Sequence, residues 1–258
     1  DDDATERCLD EASMLEQHGD PEDQAHLLKS RSLVASSHGD TAGAIVDLVR
    51  CAAIERAQGT GRELHTLANL IAVLSAVGRG ESAGSYVARG LTLARQAGAL
   101  EVPWMLSTAS SWHAVHGSAD DALKLGREAI QRARPTGNLV RTATILRRHA
   151  SVAVEAGEHA EALNAAEESC ALQERLGRRS SMAETRLVEV WALMGLGRRD
   201  DARVVLDEVV VGWGHDSAAS RMTREALDGT PHVPPDPPLD ALTCLVSRWA
   251  TRQTGGSA

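Results

Sequence analysis

Phenylalanine is absent from the 258 residues and tyrosine occurs once. The core must therefore be built from Ala, Leu and Val, which suits helices packed closely on small side chains. The four cysteines, Cys8, Cys51, Cys170 and Cys244, are far apart and form no Cys-x-x-Cys. They give neither a disulfide framework nor a zinc signature, and read as isolated thiols in a reducing cytoplasm. No apolar run reaches the length of a membrane span, and no signal peptide opens the chain. No Walker A phosphate loop occurs either.

Basic clusters are lacking as well. The net charge is −9, and residues 1–25 carry all of it, with ten acids and one base, Arg7. The remainder balances 26 bases against 26 acids. Without a basic stripe, direct nucleic-acid contact by this chain is not expected. The acidic start reads as a solvated face.

What the chain has is a period. Glycine recurs at Gly39, Gly78, Gly117, Gly157 and Gly197, with gaps of 39, 39, 40 and 40 residues. Five residues after each comes an alanine: Ala44, Ala83, Ala122, Ala162 and Ala202. Such self-similarity is the mark of a helical array. Each unit reads as helix, tight turn at the glycine, helix, looser loop. The glycine ends the first helix, where it can take the left-handed conformation. The alanine faces that first helix and lets the two axes approach. Expected helices run from Pro21 to about Ser37, then over 41–57, 62–77, 82–97, 102–116, 119–133, 139–156, 158–176, 180–196, 200–211 and 217–228. Asp20 before Pro21 and Ser118 before Asp121 are expected N-caps.

Residues 4–17 read as a second helix whose partner is missing, so the chain is expected to be a piece of a longer polypeptide. The predicted layout is a truncated leading repeat over 1–19, then five repeats over 20–214 (20–59, 60–99, 100–137, 138–178 and 179–214). A degenerate C-terminal repeat covers 215–258, with a proline-rich extended stretch, a helix over Leu239–Gln253 and a disordered tail.

Glycine, alanine five residues on, and a small residue seven beyond that (Cys51, Gly90, Ala129, Ser169 and, less small, Val209) resemble tetratricopeptide repeats. The family's Trp and Tyr positions hold mostly Leu, Ala and His here, as at Leu28, Leu67, Leu106 and Leu146. Its usual period is about 34 residues, shorter than the one seen here. The longer period, with segments such as AVEAGEHAEALNAAEESCALQERLG and ALMGLGRRDDARVVLDEVV, is similar to the repeat domain of large bacterial transcription activators with a nucleotide-binding switch. These include the maltose-regulon activator type and the antibiotic-regulatory-protein type. The resemblance covers about residues 4–211. It implies an all-α fold, a right-handed superhelical solenoid of about six helix pairs. It also implies a non-catalytic, cytoplasmic sensor or regulatory domain, whose partners would be a protein, a peptide or a small anionic ligand, together with other domains of its own parent chain. A stand-alone protein–protein scaffold is the alternative.

The resemblance also implies that first helices line a concave groove, at positions 13, 10, 9 and 6 before each glycine. The candidate binding residues on those stripes are His26 and Lys29; His65 and Asn69; Trp104, Ser107 and Ser111; Thr144, Arg147 and Arg148; and Trp191. The stripes set five bases or imidazoles against one acid, Glu184, a bias suited to an anionic partner. Trp104 and Trp191 add flat apolar contact.

Two motifs compete with this reading. Gly80-Glu81-Ser82-Ala83-Gly84 matches the nucleophile elbow of a serine hydrolase, but Ala83 is the interhelix alanine and Ser82 fits an N-cap. His113 and His116 can share a helix face, but lack an acid or thiol at ligand spacing, so His113 is expected in the core. No catalytic residue, metal site or cofactor is expected.

Overall fold

The computed structural model describes residues 19–59, 61–96, 101–214, 217–229, 246, 248 and 249. The expected helices over 4–17 and most of 239–253, the proline-rich stretch, and Cys8 and Cys244 lie outside them. The described residues form α-helices and short helical turns, with no strand among them. In order the helices are α1 (Pro21–Ser37), α2 (Thr41–Gln58), α3 (Glu63–Ala76), α4 (Gly84–Gln96), α5 (Val102–His116) and α6 (Ala119–Ala133). After these come α7 (Leu139–Ala156), α8 (His159–Arg175), α9 (Arg179–Gly195), α10 (Arg199–Asp207) and α11 (Ala218–Asp228). The fold is all-α and repeat-like.

The chain divides into two compact units, residues 1–112 and 113–258. In the first, α1 packs on α2, α2 on α3, and α3 on α4. In the second, α6 through α10 pack each on the next, and α10 on α11. There α9 also contacts α7 on one side and α11 on the other. First helices of successive pairs thus form one layer of this unit.

The glycine period has the expected cause at four places of five. Gly39, Gly78, Gly157 and Gly197 take φ of 80°, 72°, 81° and 76°. In each case the next backbone N–H reaches back five residues. Asp40 donates to the Ala35 carbonyl, Arg79 to Leu74, Glu158 to Ala153 and Arg198 to Leu193, at 2.8 to 2.9 Å. This closes the helix end while reversing the chain. Gly117 differs. Its φ is not positive, and the Ser118 hydroxyl accepts from the Asp121 N–H to start the next helix directly. A Cβ on Gly117 would lie 2.3 Å from Nδ1 of His113, so close packing on that imidazole, not backbone conformation, demands the glycine.

All five period alanines are fully buried. The repeat extends to single hydrogen bonds. The Cys51 thiol donates to the Ala25 carbonyl at 3.4 Å. In the second unit, the Ser169 hydroxyl at the matching position donates to the Ala143 carbonyl at 2.8 Å. Both tie the second helix of a pair to the first. Asp20 caps α1 as expected, accepting from Glu22 and Asp23 at 2.8 and 2.9 Å. The helix expected to run to 211 instead ends at Asp207 and widens into a π-turn over Glu208–Gly212.

Candidate functional site

The predicted stripes are placed on α1, α3, α5, α7 and α9. In the first unit, the lysine and the imidazoles of the stripe lie near acids. His26 is exposed, 3.9 Å from Glu22. The Lys29 ammonium lies 2.5 Å from Glu55, a carboxylate almost wholly buried on α2. His65 is half-buried, 3.5 Å from Glu101. Asn69, Trp104 and Ser111 are half-buried, whereas Ser107 is buried. The Ser111 hydroxyl is turned back to the Ser107 carbonyl. Neighbouring acids therefore offset the positive bias that the stripe residues alone suggest.

In the second unit the stripes of α7 and α9 face one another closely. Thr144, Arg147, Arg148 and Glu184 are all half-buried. Arg147 lies 3.5 Å from Glu184. Burial, reinforced by Arg147 alongside, brings the Arg148 guanidinium down to about 10. The Thr144 hydroxyl donates to the Val140 carbonyl.

Trp191 is the member whose surroundings differ most from a solvent-facing groove. It is only 2% exposed. Its indole N–H donates to the Thr223 hydroxyl on α11 at 3.0 Å, and that hydroxyl donates in turn to the Ala219 carbonyl at 2.7 Å. Against the ring of Trp191 stands Trp249, with centroids 5.5 Å apart and planes tilted by 55°. The Trp249 indole N–H donates to Glu155 at 2.5 Å, and Arg248 lies 3.5 Å from the same carboxylate. Glu155, two residues before Gly157, is one helical turn beyond Ser151 on the α7 stripe. Sequence reasoning stopped its register at Ser151 and so missed Glu155. Carrying the three-to-four spacing one turn further finds it.

The competing motifs resolve locally. Gly80–Ala83 is a 3-10 turn with Ser82 exposed inside it. The segment before it is α3, so the strand of a nucleophile elbow is not formed, and Ser82 does not act as an N-cap. The Gly80 carbonyl accepts from the Trp112 indole at 2.6 Å, and a Cβ on Gly84 would come 3.4 Å from the same ring. The turn thus seats Trp112. His113 is half-buried and His116 exposed. No group of three or more His, Cys, Asp or Glu is placed to hold a metal among the described residues. No described helix is long and apolar enough to cross a membrane. Burial pushes the Cys170 thiol up to about 12.

The chain matches no protein-family model and no curated protein.

Proposed function

We propose that the chain is a non-catalytic, tetratricopeptide-like array, the ligand- or protein-sensing part of a larger cytoplasmic bacterial regulator of transcription or signalling. The observation that carries this reading is the α7–α9 face. Thr144, Arg147, Arg148 and Glu184 stand half-buried side by side on two adjacent first helices. Polar groups that are partly desolvated and mutually fixed gain more from a complementary partner than fully solvated ones do. The partner chemistry this favours is a protein, peptide or small ligand carrying carboxylates or phosphates, with further contacts to other domains of the parent chain.

The test is a fluorescence binding screen of the full chain against acidic and phosphorylated peptides. At least one peptide binds, and the double variant Arg147→Ala, Arg148→Ala loses it by about 1.5–3 kcal/mol per charged contact removed, with helicity unchanged. Affinity retained in that variant contradicts the reading.

A further inference from the structure

The contacts of Trp249 set a carboxylate against the N–H edge of its indole ring, which a purely structural plug does not require. Glu155 is 6% exposed in its side chain, and it accepts from the Trp249 indole N–H while the Arg248 guanidinium stands 3.5 Å away as an ion-pair partner. A carboxylate withdrawn from water is costly unless donors replace the lost solvent. A cap made only to exclude water is better served by an apolar residue at that position. Here the carboxylate selects what sits over it, a group with an N–H at its edge and a cation beside it.

The aromatic half of the receiving face is held without help from what it receives. Trp191 belongs to α9, and its ring is fixed through Thr223 of α11, itself bonded to its own helix. Glu155 is supplied by α7. These three helices contact in one layer of the second unit. Trp249 and Arg248 come from outside that layer and meet it at Trp191 and Glu155; Trp249 is buried there. Tilted aromatic contact plus a charge-assisted hydrogen bond is a recurrent recognition pair.

We infer that the Glu155–Trp191 face of α7 and α9 is a recognition site for an arginine–tryptophan segment, filled in this chain by its own Arg248–Trp249. The inference rests on the reading of the chain as a binding array. It adds a second chemistry to it: the α7 stripe is basic at Arg147 and Arg148 and acidic at Glu155. A segment offering the same pair in trans competes with the resident one, so access to this face is set by release of the chain's own residues.

The probe is a fluorescein-labelled synthetic peptide with the sequence of residues 245–253, Leu-Val-Ser-Arg-Trp-Ala-Thr-Arg-Gln. Its anisotropy is followed on addition of the full chain. Trp249→Ala empties the site and binds the peptide at least about tenfold more tightly than wild type. Adding Glu155→Gln and Trp191→Leu to that variant abolishes the gain, and a peptide with its Trp replaced by Ala does not bind. Arg248→Glu keeps the ring contact and loses the ion pair. It also binds the peptide more tightly than wild type, and it stands in where Trp249→Ala fails to fold.

Folded variants that ignore the peptide, or that bind it regardless of Glu155 and Trp191, overturn the inference. Unfolding of both Trp249→Ala and Arg248→Glu also overturns it, because the pair is then a structural cap. The acidic-peptide screen uses Arg147 and Arg148 instead, so its outcome separates failure of this site from failure of the array reading.

Discussion

Arg127 on α6 donates to Glu161 on α8 through two guanidinium nitrogens, Nε and Nη2, at 2.8 and 2.5 Å. His149 on α7 approaches the same carboxylate at 2.7 Å. One acid thus ties three successive helices of the second unit. The bond from Arg127 holds Glu161 at about 2, with His149 helping against the cost of burial. Burial holds the His149 imidazole below its ordinary value, only partly offset by Glu161.

Both shifts make the fold acid-sensitive, in two windows. A histidine favoured neutral contributes stability that is complete above its unfolded value of 6.5 and is lost as pH falls through the lower folded value. A carboxylate favoured ionised contributes stability that is complete above 4.5 and is lost as pH falls toward about 2. Urea melts at a series of pH values are expected to show a first loss below 6.5 and a second below 4.5. Glu161→Gln shrinks the second, leaving the share of Glu63, whose burial is outweighed by its bonds from Arg89 and Arg56, at a cost near neutrality of about 1 kcal/mol, since Arg127 is more than half exposed. A midpoint flat across both windows contradicts the assignment.

Turn and interhelix positions carry distinct penalties. Gly157→Ala places a side chain at a φ of 81° with nothing nearby to clash, so it costs about 1 kcal/mol from backbone strain alone. Ala162→Leu inserts bulk at a fully buried contact and costs about 1–3 kcal/mol by overpacking. Thermal melts of the two variants check this, and equal stability with wild type at Ala162→Leu contradicts the close helix approach.

Around the Gly80 turn, Ser82→Ala is expected to change stability by less than about 0.5 kcal/mol, because the side chain is exposed. It leaves any background ester hydrolysis unaltered. Trp112→Phe removes the bond to the Gly80 carbonyl and costs about 1 kcal/mol. Loss of an esterase activity on Ser82→Ala reverses this assignment.

The sequence makes the local rules legible. Helix ends at Ser37, His116, Ala133 and Ala156 fall where glycine spacing, caps and apolar period put them, because those signals act within one or two turns. The five buried alanines follow from the same register. What stayed hidden depends on distant pairing. Glu55 on α2 lies against Lys29 and Glu101, just before α5, lies near His65, and no count along one stripe includes them. Trp191 reads as a groove aromatic by register, yet its partner Trp249 comes from a segment beyond the regular repeats. Gly117 looks like the other ladder glycines and differs only because His113 packs on it.

The proposed binding surface is the α7–α9 face around Thr144, Arg147, Arg148 and Glu184. The most direct measurement is hydrogen–deuterium exchange of the full chain with and without the tightest acidic peptide from the screen. Slowed exchange over residues 144–151 and 184–188, with α8 and α10 unchanged, is the predicted result. Protection confined to α8 and α10, or no protection while the peptide is bound, contradicts the account.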